Sequence, residues 1–228
     1  MTQFVDNGLN QNRNLECADI FAPDYDREVP ANGWCAPEII FNLMTDYILR
    51  GDTLLDIGIG TGLSALPFKE AGLAVYGIDG SAEMLKICSA KMNAIELELR
   101  DLSRDCLPYE DSFFNHVIST GVLHLLGDLN RLFDDVSRIL KTGGVFGFTV
   151  DEQIKEADKP GNVLCDGGIF EYTNPKSGIK SYKHSREYIA DLLDINNLTV
   201  LESQTFHAFK KTEWSGDVFF GAYIARKH

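Results

Sequence analysis

The sequence predicts an α/β protein: a doubly wound, mostly parallel sheet of seven strands with helices on both faces. Two observations predict it. From residue 53 onward, short apolar runs alternate with amphipathic segments, the pattern of strand–helix units whose sheet is covered on both sides. The right-handed crossover rule then leaves few topologies. The second observation is a glycine-rich turn, Gly58-Ile59-Gly60-Thr61-Gly62, directly after the first apolar run. Sheets of this kind bind ligands beyond the carboxyl ends of their strands, where such turns stand.

The elements follow in order. Residues 1–15 are polar, rich in Asn and Gln, and are expected to be frayed or loosely docked. A helix is expected from Pro37, because proline suits a first helical position and Ile39, Ile40, Leu43, Met44, Tyr47 and Ile48 share one face. Thr53–Ile57 reads as a buried strand and Leu63–Ala71 as a helix stopped by Gly72. Pro67 removes an N–H inside that helix, which must start nearer Ser64 or bend. Ala74–Ile78 is the second strand. Ser81 caps a helix to about Lys91, with Met84, Leu85, Ile87, Cys88 and Met92 inward. Ile95–Leu99 and His116–Ser119 are the third and fourth strands. Asp128 caps a helix whose Leu129, Leu132, Phe133, Val136, Ile139 and Leu140 form a stripe ended by Gly143-Gly144. Val145–Val150 is the fifth strand. Ile169–Thr173 and Ile179–Lys183 flank Asn174-Pro175-Lys176-Ser177-Gly178 as a hairpin. Ser185 caps a last helix to about Ile195, and Thr199–His207 and Val218–Arg226 complete the sheet. Phe206, His207, Phe209 and Trp214 read as core or edge residues.

Composition narrows the function. At 228 residues the chain suits one domain with a substantial core. A net charge of −13 repels phosphate backbones and anionic membranes, so neither nucleic acid nor a membrane is an expected partner. No run approaches 18 apolar residues, and the polar amino terminus lacks the apolar core of a secretion signal. Cys17, Cys35, Cys88, Cys106 and Cys165 are scattered, without metal-ligand spacing. They read as reduced thiols, so a cytoplasmic location and no metal are expected.

The glycine turn separates two cofactors. A dinucleotide site needs G-x-G-x-x-G, but its third glycine position is Leu63 here. Asp56, two residues before Gly58, would repel a pyrophosphate, whereas it suits the ammonium and sulfonium of S-adenosylmethionine. Glycines at Gly58, Gly60 and Gly62 let the backbone approach that ligand closely. Asp79 ends the second strand, where an acid can accept both ribose hydroxyls. Asp101 follows the third strand, where it could accept from the adenine amine. A nicotinamide-dependent dehydrogenase is thereby disfavoured.

These residues resemble the class I S-adenosylmethionine-dependent methyltransferases. The resemblance runs from about Pro37 to the end through LLDIGIGTG, VYGIDGSAEML, ELELRDL and RILKTGGVFGFTV. It looks closest to small bacterial methyltransferases sometimes fused to tetratricopeptide repeats. Leu126-Gly127-Asp128-Leu129, Phe146-Gly147-Phe148 and Tyr182-Lys183-His184-Ser185 echo their pattern. Gly77-Ile78-Asp79-Gly80-Ser81 is also similar to the methyltransferase of the Williams–Beuren deletion region. The resemblance implies a Rossmann-like methyltransferase fold with its last strand antiparallel. It implies that the glycine loop holds the methionine moiety, Asp79 with Gly80 the ribose, and Asp101 with Leu102 the adenine. Thr120 and Gly121, after the fourth strand, would line the methyl-donor channel, and Met84 would cover an adenine face or belong to the core.

The whole chain, 1–228, is then one methyltransferase domain, with residues 1–36 an N-terminal lid and 151–184 an insertion roofing the acceptor site. Tyr25 and Trp34 either close over the cofactor or pack as an ordinary apolar lid. The expected activity is methyl transfer to a small-molecule acceptor, leaving S-adenosylhomocysteine. A cofactor-binding regulatory or scaffold protein without turnover is the alternative. Positioning and water exclusion can supply most of the catalysis, so no side chain is obligatory. The catalytic residue stays unassigned, with His124, His184 and Tyr172 as candidates beside Tyr182 on the acceptor side.

Overall fold

The computed structural model describes residues 9–91, 94–152, 163–174, 178–209 and 218–228. Its main sheet has seven strands: β1 (Thr53–Ile57), β2 (Ala74–Asp79), β3 (Glu96–Leu99), β4 (Phe114–Ser119), β5 (Leu140–Asp151), β9 (Leu198–Phe209) and β10 (Val218–Lys227). They lie in the order β3-β2-β1-β4-β5-β10-β9. The pairs β1–β2, β1–β4, β2–β3 and β4–β5 are parallel, and β10 runs antiparallel to both β5 and β9. Strand order reverses between β1 and β4, which opens a crevice beyond their carboxyl ends.

The sheet holds because its strands are apolar on both sides. Leu54 and Leu55 are adjacent and fully buried, yet they join different clusters. Side chains alternate across a strand, so one faces each helix layer. Leu55, Val117, Phe146 and Phe148 pack with Phe133 and Val136 of α6 (Asn130–Ile139) and Leu192 of α7 (Arg186–Ile195). Leu54, Ile118 and Ile224 pack with Ile40 and Met44 of α3 (Ala36–Met44) and Phe68 of α4 (Leu66–Glu70). Ser81 caps α5 (Ala82–Lys91), its hydroxyl accepting from the Met84 N–H at 3.1 Å. Ser185 caps α7 in the same way, accepting from the Tyr188 N–H at 3.1 Å.

Four local expectations change. The polar amino-terminal stretch is a helix over its described part, α1 (Leu9–Phe21), followed by a 3-10 turn and α2 (Tyr25–Ala31). Tertiary docking, described below, orders it where its own composition does not. The first crossover helix begins only at Leu66, so Pro67 falls in its first turn and bends nothing. Residues 61–65 are spent in turns instead. The Asp128 carboxylate accepts the Asn130 N–H at 2.9 Å, but the N-cap position falls on Leu129, not Asp128, and the helix ends at Ile139. Gly143 and Gly144 therefore lie inside β5, next to a register shift, and not at a helix end. Finally, the predicted hairpin gains a third strand, giving a small sheet of β6 (Val163–Asp166), β7 (Ile169–Thr173) and β8 (Lys180–His184). Met92, Pro175, Lys176, Ser177 and Trp214 lie outside the described residues. Among the described residues no helix is long and apolar enough to cross a membrane, and no cluster could hold a metal ion.

Candidate active site

The crevice between β1 and β4 is a cleft of about 810 Å³, counted to its open mouth. Its floor is the glycine turn. The N–H groups of Gly58 and Ile59 donate to the Ile78 carbonyl at 2.8 and 2.9 Å, folding the turn back on β2. Gly58 has φ +73°, and a Cβ there would sit 2.2 Å from Val122. Gly60 has φ +55°, and nothing stands within 4 Å of where its Cβ would be, because that side is open. The turn also needs Gly77, whose Cβ would come within 2.4 Å of Ile59. Gly62 (φ +92°) lies outside the cleft lining and turns the chain toward α4, its carbonyl accepting from Leu66 at 3.0 Å.

The three acids sit on adjacent strand ends. Asp56 pairs across β1–β2 with Gly77, Asp79 ends β2 opposite Leu99, and Asp101 follows β3. Asp79 is held rigidly: one oxygen accepts from the Gly60 N–H and the other from the Ser81 N–H, both at 2.8 Å. Burial still leaves its pKa raised, although these backbone bonds pull it down. Asp56 is fully buried, and neither of its oxygens has a partner among the described residues. Burial first, then the Asp79 charge, pushes its pKa well above the ordinary carboxylate range. A buried carboxylate without partners is costly, and a ligand cation beside it would offset that cost. The donor set therefore fits a cationic ligand such as S-adenosylmethionine. Asp101 accepts from the Ser103 N–H and hydroxyl at 3.0 and 2.5 Å and pairs with Arg104 at 3.5 Å.

The wall after β4 is built around Gly121 (φ +70°), whose N–H donates to the Thr149 hydroxyl at 2.9 Å. The Thr120 hydroxyl is in close contact with that of Ser64. A Cβ on Gly121 would meet Trp34 at 2.9 Å. Trp34 is packed behind this turn, edge-on to Phe220 at 5.2 Å and tilted on Phe206 at 6.0 Å.

The amino-terminal helices cover the cleft. Asn14, Leu15 and Ala18 of α1 line it, and Leu15 lies over Gly80. Asp19 accepts from the Ser81 hydroxyl at 2.5 Å and the Glu83 N–H at 3.3 Å. Asp26 accepts from the Thr61 hydroxyl at 2.5 Å and pairs closely with Lys91. One acid thus ties the cover to the β2–α5 turn, and the other ties it to the glycine turn. The Tyr25 ring also lines the cleft. Burial, then Asp79, Asp56 and Asp26, push its pKa up to about 12, so its hydroxyl stays protonated.

Of the residues expected from sequence, the cleft gathers Tyr25, Gly58, Gly60, Asp79, Gly80, Met84, Asp101, Leu102, Thr120 and Gly121. Asp56 lies beneath it and Trp34 behind it, neither in the lining. The acceptor-side candidates are also outside the lining. His184 is fully buried; its Nε2 donates to the Gly127 carbonyl at 2.9 Å, and its ring stacks on Tyr188. His124 stands edge-on to Phe220 at 5.4 Å. Burial lowers both histidines to about 4, with His184 adding to the effect on His124, so both are neutral at pH 7. Tyr172 lies in β7 opposite Ser181, half-buried, and Tyr182 packs on Gly127. Sequence reasoning missed Asn14, Leu15, Asp19, Asp26 and Ser103. Only Ser103, beside a read motif, carried a usable signal.

Comparison with known proteins bears on the family and the fold. Residues 55–148 match the family described as a methyltransferase domain. A demethylmenaquinone methyltransferase of Tropheryma whipplei (strain Twist) is 26% identical over 181 residues, covering 77% of this chain and 73% of that protein. Methyltransferase-like protein 27 of Homo sapiens is 31% identical over 115 residues, covering 49% of this chain and 47% of its own. The crystal structure of a Burkholderia thailandensis 1,6-didemethyltoxoflavin-N1-methyltransferase holds 1,6-didemethyltoxoflavin and S-adenosylhomocysteine. It superposes with a TM-score of 0.68 at 17% identity, covering 100% of this chain and 92% of that one, a likeness of fold.

Proposed function

Because the chain is a class I S-adenosylmethionine-dependent methyltransferase, we propose that it methylates a small molecule, on a cofactor held by the three strand-end acids and the glycine turn. Bound S-adenosylmethionine supplies a methyl group on a sulfonium, open to in-line attack. The residues do the rest. Gly58 and Gly60 bring the backbone close to the methionine moiety, while Gly62 turns the chain into α4, and Asp56 lies beneath as the counter-charge for its ammonium. Asp79, already fixed by two backbone donors, keeps lone pairs for the ribose hydroxyls. Gly80, without a side chain, lets Leu15 of the cover close onto this turn beside the ribose. Met84 and Leu102 flank the adenine, and Asp101 meets its amine. Thr120 and Gly121 line the donor channel, and Trp34 supports that turn from behind.

One observation carries the small-molecule reading: the cleft is covered by α1 and Tyr25, tied down by Asp19 and Asp26 on two sides. We take residues 1–36 as a lid and 151–184 as the roof of the acceptor pocket, within one domain. A folded polymer would have to displace that cover, and the charge of −13 repels nucleic acid. The neutral His124 and His184 support packing roles more than a general base, whose best pKa lies near the working pH.

Thermal shift tests the cofactor. S-adenosylmethionine and S-adenosylhomocysteine should raise the melting temperature, and NAD should not. Acceptor class is tested by incubating labelled S-adenosylmethionine with metabolite pools, bulk RNA and unfolded proteins. Label appearing only in RNA or protein would sink the small-molecule reading.

A further inference from the structure

Asn14, a residue of the cleft lining, holds an unused hydrogen-bonding atom. It lies on the cover, and its amide nitrogen donates to the Lys180 carbonyl of β8 at 3.3 Å. A carbonyl only accepts, so the nitrogen must face Lys180, and Oδ1 takes no part in that contact. That oxygen is buried and has no partner among the described residues. An acceptor stranded in this way calls for a donor, and Asn14 belongs to the lining of the cleft.

We propose that Asn14 Oδ1 accepts a hydrogen bond from the exocyclic amine of the bound adenine, which makes Asn14 a specificity residue for the base. The inference rests on the S-adenosylmethionine reading of the cleft. Three features direct it to the amine. Leu15, the next residue, stands over Gly80, and a Cβ there would lie 2.5 Å from Leu15 Cδ2 and 3.4 Å from the Arg100 carbonyl. This turn of α1 therefore lies above the end of the cleft that contains Asp101. The ribose hydroxyls already have Asp79. An adenine amine bears two hydrogens, while Asp101 spends acceptor capacity on Ser103 and Arg104. One hydrogen goes to Asp101 from the strand side, and the other to Asn14 from the cover. A 6-oxopurine would set one acceptor against another.

Calorimetry with S-adenosylhomocysteine and its 6-oxo analogue, S-inosylhomocysteine, tests this on the full chain. Asn14→Ala should weaken S-adenosylhomocysteine by about tenfold and leave the 6-oxo ligand unchanged or tighter. Leu15→Ala, which only loosens the cover, should weaken both alike. Asn14→Ser, read the same way, serves if Asn14→Ala fails to fold. Equal loss for both ligands, or no loss for either, overturns the role of Asn14 while the cofactor reading stands. Failure of the unaltered protein to bind S-adenosylhomocysteine overturns both.

Discussion

The floor and the cover of the cleft enclose the same space but are built on different rules. The floor is made by backbone: three parallel strand ends, a turn whose Gly58 and Gly60 have positive φ, and an acid at each tip. Each requirement is local, so each leaves a mark in the sequence. The cover is made by side chains reaching across 35 and 62 residues, Asp26 to Thr61 and Asp19 to Ser81. Its own helix is only 13 residues long, gathers no continuous apolar face and could not stand alone. What differs is where the instructions lie: in neighbouring residues for the floor, in distant partners for the cover. Damage to the floor should therefore cost the most affinity, and cutting the ties that hold the cover down should mainly change the rate of exchange.

The largest effect is expected at Asp79. Asp79→Ala removes the acceptors of Gly60 and Ser81 along with the contacts proposed for the ribose. Each lost bond to a charged group is worth about 1.5–3 kcal/mol, so affinity should fall by roughly a hundredfold or more. Unchanged affinity by calorimetry, in a folded variant, would displace the ribose from β2.

Asp56 should split stability from binding. Its pKa is raised in the folded protein, so between the ordinary carboxylate range and that raised value the fold binds more protons than the unfolded chain. Stability must then fall as pH rises through that window. Asp56→Asn should raise the melting temperature of the ligand-free protein at pH 7. The same change should weaken S-adenosylmethionine, which prefers the ionised acid, and flatten the rise of its affinity with pH. A lower melting temperature with intact binding would mean that Asp56 serves the fold instead.

The smallest effect belongs to the cover. Asp26 and Lys91 are both more than a third exposed, so Asp26→Asn should change stability by less than about 1 kcal/mol. Release of S-adenosylhomocysteine, followed by stopped flow, should quicken several-fold while equilibrium affinity moves less. A floor-sized loss of affinity from Asp26→Asn would erase the distinction between the two regions.

Legibility followed the same division. The run Thr53–Ile57 and the caps Ser81 and Ser185 were readable because apolar strands and capping hydroxyls act on adjacent backbone. The β4 wall was half readable: Thr120 and Gly121 could be named, but the place of Trp34 behind Gly121 depends on a fold contact across 87 residues of chain. The Gly143-Gly144 pair misled, since a helix stop and a strand irregularity use the same residues. Gly77 looked like part of a strand, and its reason, the Ile59 side chain crowding it, exists only once β1 and β2 are paired.

The packing of Trp34 against Gly121 gives the molecule an optical gauge. Its indole is shielded from water and touches the very turn that lines the cleft after β4. Any shift of that turn as the cleft fills must alter the polarity around the ring, and with it the colour and yield of its ultraviolet emission. Occupancy of the cleft can thus be followed in real time, in unlabelled protein.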